Sequence, residues 1–179
     1  MPEKPRYKIP TEDRLTRSAV HYLERYASSA ANLRKVLERK VLKACIAHER
    51  DPGEFSTLID AVVEKCGQSG LVNDLAYAET KTAGLRRRGG SQRKIEAKLS
   101  AKGVDRETIQ AVLNNDARDD LGAAFIFARR RRLGPFRTDD KDRREKDMAA
   151  LCRAGFSYDI AKRVIDATDE DLAEHEARG

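Results

Sequence analysis

The chain repeats itself, and that limits its fold more than any single motif does. Leu99, Lys102-Gly103-Val104, Ile109 and Val112-Leu113 recur as Leu151, Ala154-Gly155-Phe156, Ala161 and Val164-Ile165, each displaced by the 52 residues that separate Leu99 from Leu151. A looser earlier copy runs through Leu37, a break at Asp51-Pro52-Gly53, then Ile59 and Val62-Val63. The starts of the three units echo one another in Ala19-x-x-Tyr22-Leu23, Ala76-Tyr77-Ala78 and Ala124-Phe125-x-Phe127. A period in this range marks stacked copies of one supersecondary unit. Such arrays offer extended surfaces to polymers and filaments and seldom build one catalytic pocket.

Apolar spacing makes every unit helical. Leu15, Ala19, Tyr22, Leu23 and Tyr26 fall on one helical stripe over about 11–26. Leu33, Val36, Leu37 and Val41 point a second helix, 30–50, inward, and a third covers 56–66, with Gly67 at the C-cap glycine position. Asn73 caps the next helix, whose first-turn Asp74 faces the positive end of the dipole. That helix ends in Arg86-Arg87-Arg88 before Gly89-Gly90, and Ser91 caps 92–102. Gly103 and Gly155 provide left-handed exits, and 106–116 closes the unit. Unit three follows the same plan through 119–132, 143–153 and, capped by Ser157, 158–167. No stretch alternates with period two. The expected fold is therefore all-α, a tandem array of three imperfect three-helix repeats, elongated and curved. Its parts are an extended proline-rich tail (1–10), repeats at 11–69, 70–117 and 118–167, and an acidic C-terminal tail (168–179).

Charge is concentrated. The net formal charge is +6. Residues 71–104 carry eight basic and three acidic side chains, 129–146 carry nine and four, and 166–179 carry one and six. Two basic stretches at equivalent places in two repeats suit a polyanion or an acidic protein face, whereas any single cation is as readily explained as solvation of a helix face. Catalytic chemistry has no candidate. The phosphate loop G-x-x-x-x-G-K-[ST], the G-x-S-x-G elbow and H-E-x-x-H are all missing, and His21, His48 and His175 are scattered. Cys45-x-x-His48 with Cys66 falls short of a four-ligand zinc site, so Cys45 and Cys66 read as small core residues, and no metal or cofactor is expected. Asp139, Asp140 and Asp142 sit among Lys and Arg and read as a solvated loop rather than a cation site. Three dispersed cysteines, a polar N-terminus and no long apolar run predict a reduced, cytoplasmic protein without a membrane span.

The segment from Gly70 to Val104 reads G-L-V-N-D-x-x-Y-A, R-R-R-G-G-S and K-I-x-x-x-L-x-x-K-G-V, and Leu151 to Ile165 reads L-C-R-A-G-F-S-Y-D-I-A-K-R-V-I. Together these resemble the central and terminal motifs of the RecX family, regulators of the RecA recombinase, over about residues 15–167. Unit one departs from the pattern, because its turn lacks the K-G-V element. The resemblance implies a non-enzymatic protein, expected as a monomer, that binds RecA and its filament on single-stranded DNA. It also implies inhibition of RecA ATPase and strand exchange, with weak direct DNA binding.

The expected contact residues are Arg86, Arg87, Arg88, Arg93, Lys94 and Lys98 in unit two, and Arg129, Arg130, Arg131, Arg132, Arg143 and Arg144 in unit three. Their role is Coulombic contact with phosphates or acidic RecA loops. Tyr77 and Tyr158 invite a base-stacking role, but beside Ala and Ile they read as core. Two alternatives are a free-standing helix-turn-helix DNA binder and a generic helical scaffold. The closing helices 106–116 and 158–167 argue against the first, with short apolar faces and many acids where a sequence reader needs Asn, Gln or Arg.

Overall fold

The structure is a computed structural model that describes residues 7–138 and 143–177. The expected loop carboxylates Asp139, Asp140 and Asp142 and the first six residues of the expected tail lie outside them. Among the described residues there are ten α-helices and no strand. None of these helices is long and apolar enough to cross a membrane. The chain groups into two compact units, residues 1–77 with 102–105, and 78–101 with 106–179. The division therefore cuts through the second sequence repeat.

The first unit holds α1 (Glu12–Leu23), α2 (Ala30–His48) and α3 (Ser56–Gln68), which pack pairwise. Leu15, Ala19, Leu33, Leu37, Val41, Ile59 and Val62 form its core, together with Cys45 and Cys66. Burial pushes both thiols up in pKa, which leaves them inert apolar filling. The Asp51-Pro52-Gly53 break becomes a 3₁₀ turn, Pro52–Phe55, because the Asp51 carboxylate accepts the Gly53 N–H at 3.0 Å. Phe55 enters the core beneath the Arg50 guanidinium, 4.9 Å from its ring.

Two expectations fail here. Gly67 lies inside α3, and the left-handed exit is taken three residues later by Gly70, at φ 73°. Helix α1 stops at Leu23, so Tyr26 leaves the inward stripe and is 58% exposed, its ring 5.2 Å from that of Tyr22.

α4 (Asp74–Arg86) begins in the first unit and ends in the second. The second unit continues with α5 (Gln92–Ala101), α6 (Arg106–Asn114), α7 (Asp120–Arg131), α8 (Arg144–Arg153), α9 (Tyr158–Ile165) and α10 (Asp169–Ala177). α5 packs on α6, burying Ile95, Leu99, Ile109 and Val112. α7, α8 and α9 close around Ala124, Phe125, Ala128, Leu151, Phe156, Ala161 and Val164. The segment read as an acidic tail forms α10, and its Leu172 packs against this core.

One joint occurs once in each unit. In the first, Ser29 caps α2 by accepting the Asn32 N–H at 3.2 Å, and its buried hydroxyl donates to the Lys102 carbonyl. The next orphan donor of the helix, the Ala30 N–H, goes to Asp74 Oδ1 at 2.8 Å. In the second, Ser91 accepts the Lys94 N–H at 3.3 Å and donates to the Ala154 carbonyl at 2.7 Å, while the Gln92 N–H goes to Asp120 Oδ1 at 2.7 Å. In both, the accepting carbonyl precedes a left-handed glycine, Gly103 at φ 73° and Gly155 at φ 98°. A Cβ on Gly103 would strike the Ala31 methyl, and one on Gly155 would lie 2.5 Å from Ser91 Oγ. Asp74 thus serves the N-terminus of another helix besides facing that of its own.

Candidate functional site: a basic groove

The site depends on how closely the α4–α5 turn lies against α7. Gly89 has φ 74°, and a Cβ there would fall 2.6 Å from the Phe127 backbone nitrogen and 2.8 Å from the Ala123 carbonyl. Only a residue without a side chain lets these backbones approach so far. The arginine run ending α4 is thereby brought beside the run ending α7, and Arg130 Nη1 reaches the Arg88 carbonyl at 3.5 Å.

Arg86 locks this arrangement, and here the expected role is corrected. It is not a surface contact residue but is 3% exposed. Its guanidinium donates to Asp116 Oδ2 at 2.6 Å, to Asp120 Oδ1, and to the Gly90 carbonyl at 3.1 Å. Burial alone would lower its pKa, but the hydrogen bonds and charges of Asp120 and Asp116 outweigh that, so the cation is held more firmly than usual. Held between two carboxylates and shut from water, Arg86 presents no accessible charge to a partner.

The remaining geometry leaves a groove of about 410 Å³ lined by Leu85, Arg88, Gly90, Lys94, Lys98, Phe127, Arg130 and Arg131. Five of the eight are cations, drawn from both expected clusters, and none is acidic. Arg131 stands 5.8 Å from the Phe127 ring centroid, and the buried Phe156 meets the same ring edge-on at 5.9 Å. Five like charges around one hollow create a positive field that a polyanion relieves.

The other expected residues stay outside the groove lining. Arg87 and Arg93 are exposed. Arg129 lies over Phe136 at 5.3 Å, and Arg132 is exposed at the left-handed C-cap of α7. Arg143 stands exposed at the start of α8. Arg144 grips Asp166 with two hydrogen bonds of 2.7 Å, which pull that carboxyl below its usual range. Nearby, Asp147 is buried. It accepts from Arg137 at 2.7 and 2.8 Å and from the Gly134 N–H at 2.9 Å. Arg137's hydrogen bonds lower its pKa first, burial opposes them, and Gly134 and the charges of Arg137 and Arg143 add to the lowering.

Of the two tyrosines, Tyr77 is buried as expected. Tyr158 is 62% exposed at the first position of α9 and belongs to no core, which corrects the core reading. The site residues that sequence reasoning missed are Leu85, Phe127, Asp116 and Asp120. Asp120 carries the one available signal, because it opens α7 as Asp74 opens α4. Among the described residues no three His, Cys, Asp or Glu side chains gather as a metal site. His48 Nε2 instead donates to the Tyr7 carbonyl at 2.7 Å.

Residues 73–113 match the family model described as RecX, second three-helix domain. The regulatory protein RecX of Myxococcus xanthus (strain DK1622) is 42% identical over 171 residues, spanning 93% of this chain and 90% of its own. The regulatory protein RecX of Agrobacterium fabrum (strain C58 / ATCC 33970) is 34% identical over 156 residues, spanning 86% and 83%. That of Thermobifida fusca (strain YX) is 31% identical over 115 residues, spanning 60% of each chain. No solved structure matches. The identity runs through nearly the whole helical chain, and the protein belongs to the RecX family of regulatory proteins.

Proposed function

We propose that this protein regulates recombination and DNA repair by binding RecA and its filament on single-stranded DNA, lowering RecA's ATP turnover and strand exchange without catalysing a reaction itself. The observation that carries the reading is the groove, in which Arg88, Lys94, Lys98, Arg130 and Arg131 converge with no carboxylate among the lining residues. A nucleoprotein filament repeats phosphates and acidic protein surface along its length. A groove of this charge, helped by the exposed Arg87, Arg93, Arg129, Arg132 and Arg143, makes Coulombic contact wherever such surface faces it. Repeated weak contacts along one filament add up through effective concentration.

The test is RecA-dependent ATP turnover on single-stranded DNA, titrated with this protein at two salt concentrations. The expected result is suppression at substoichiometric amounts, weaker at the higher salt because released counterions oppose binding. Unchanged turnover and strand exchange across a wide concentration range would overturn the reading.

A further inference from the structure

We infer that the groove seats a nucleotide whose base is unpaired, with the half-buried Phe127 as the base platform and the surrounding cations on its phosphates. This rests on the reading of the groove as a polyanion site and adds to it which form of nucleic acid the site prefers.

A surface that only neutralises phosphates needs no apolar floor. Here the half-buried Phe127 lines the same hollow as the five cations, with the buried Leu85 behind it. The volume of about 410 Å³ suits one group of small-molecule size, since ligand pockets run about 300–1,000 Å³. In a duplex both faces of every base are covered by its neighbours, so an aromatic floor can act only on a base that is out of the stack. The Phe127 ring is held in place before any ligand arrives, because the buried Phe156 abuts its edge at 5.9 Å and the backbone behind it is pressed on by Gly89. The planar guanidinium of the exposed Arg131 lies over the ring, 5.8 Å from its centroid, so an incoming base stacks by exchanging with it and the cation turns to the phosphate. Aromatic stacking combined with backbone cations is the chemistry of single-strand recognition without sequence readout. Neither tyrosine offers this arrangement: Tyr77 is buried, and Tyr158, though exposed, does not line the groove.

A single strand and a free nucleoside triphosphate share this chemistry, and the experiment separates them. The full chain is titrated with a labelled single strand of about twelve thymidines, with a duplex of the same length, with ATP and with inorganic tripolyphosphate. The expected order places the single strand above the duplex. Phe127→Leu weakens single-strand binding by about tenfold and leaves tripolyphosphate unchanged, while Phe127→Tyr binds as wild type. ATP binding as tightly as the strand, with the same response to Phe127→Leu, assigns the site to free nucleotide.

A 2-aminopurine placed in the strand reads stacking without any variant, and its emission falls on binding if a base seats on the ring. Unchanged emission at saturation overturns the inference. So does Phe127→Leu shifting strand and tripolyphosphate equally, or shifting neither. In these cases tripolyphosphate binding still stands for the polyanion site, whereas a wild-type chain that binds none of the probes overturns both readings.

Discussion

The two joints are the same device with different finishes. In each, a buried capping serine donates to the carbonyl before a left-handed glycine, and an aspartate opening the next repeat takes the neighbouring helix N–H. The first joint is completed by Lys102, which reaches Asn32 Oδ1 at 3.0 Å on the exposed side. The second is completed by Arg86, buried between Asp116 and Asp120. The second sets its turn against α7, whose end and cap are the four arginines Arg129 to Arg132, and the charged groove opens there. One arginine of the Arg86-Arg87-Arg88 run is spent inside to aim the cations that stay outside.

The contrast breaks most sharply at the finishing residue. Arg86→Ala takes the cation from Asp116 and Asp120, leaving them only the Arg118 and Gln92 N–H groups, removes a donor from the Gly90 carbonyl, and costs about 3–5 kcal/mol in urea unfolding. Arg86→Lys recovers part of this, because a single ammonium cannot span three acceptors as a planar fork does. Lys102→Ala in the first joint costs less than about 1 kcal/mol, as an exposed contact should. Equal costs in the two joints would end the distinction.

Acid sharpens the comparison within the second unit. Asp147 titrates below the ordinary aspartate pKa of about 3.9, so its hydrogen bonds to Arg137 and Gly134 add stability above that pH. The contribution fades as pH falls through the lowered folded value. Asp147→Asn therefore costs about 2 kcal/mol at neutral pH and progressively less in acid, measured by urea unfolding from pH 7 downward. A cost independent of pH would show that the carboxylate charge plays no part.

The shared element should cost the same in both joints. Ser29→Ala and Ser91→Ala each lose a cap and a buried hydroxyl bond, about 1–2 kcal/mol by thermal unfolding. A difference much beyond that range would mean the joints are alike in geometry but not in load.

What was legible in advance was local. Ser91, Asn73 and Ser157 cap the helices they precede, because a cap needs only a side-chain oxygen three residues from its donor. Gly89, Gly103 and Gly155 take positive φ at breaks in the repeat. Gly67 misled because α3 continues past it to Gln68, and the exit falls to Gly70. The site was legible only in its charges. Arg86 looks like Arg87 and Arg88 in the sequence, and its partners lie 30 and 34 residues on, a pairing that no helical period encodes. Phe127 stands in the sequence only as one echo between the starts of the units, and it packs against the core half-buried. Its exposed side appears only when the turn at Gly89 has been laid on α7.

The smallest effect on stability falls where the effect on binding is expected. Arg88→Ala and Lys98→Ala remove exposed cations that line the groove and have no carboxylate beside them in its wall, so each changes unfolding free energy by no more than about 0.5 kcal/mol. Each should weaken binding to a single strand and lower the slope of log affinity against log salt by about one, because one fewer counterion is displaced. Lys35→Ala, on the exposed face of α2 in the first unit, removes the same charge from the same net total. If binding follows net charge, all three variants lose equally. If the groove is the contact, the Lys35 variant keeps the wild-type slope while the other two lose theirs. That difference separates a positioned set of cations from a merely basic protein.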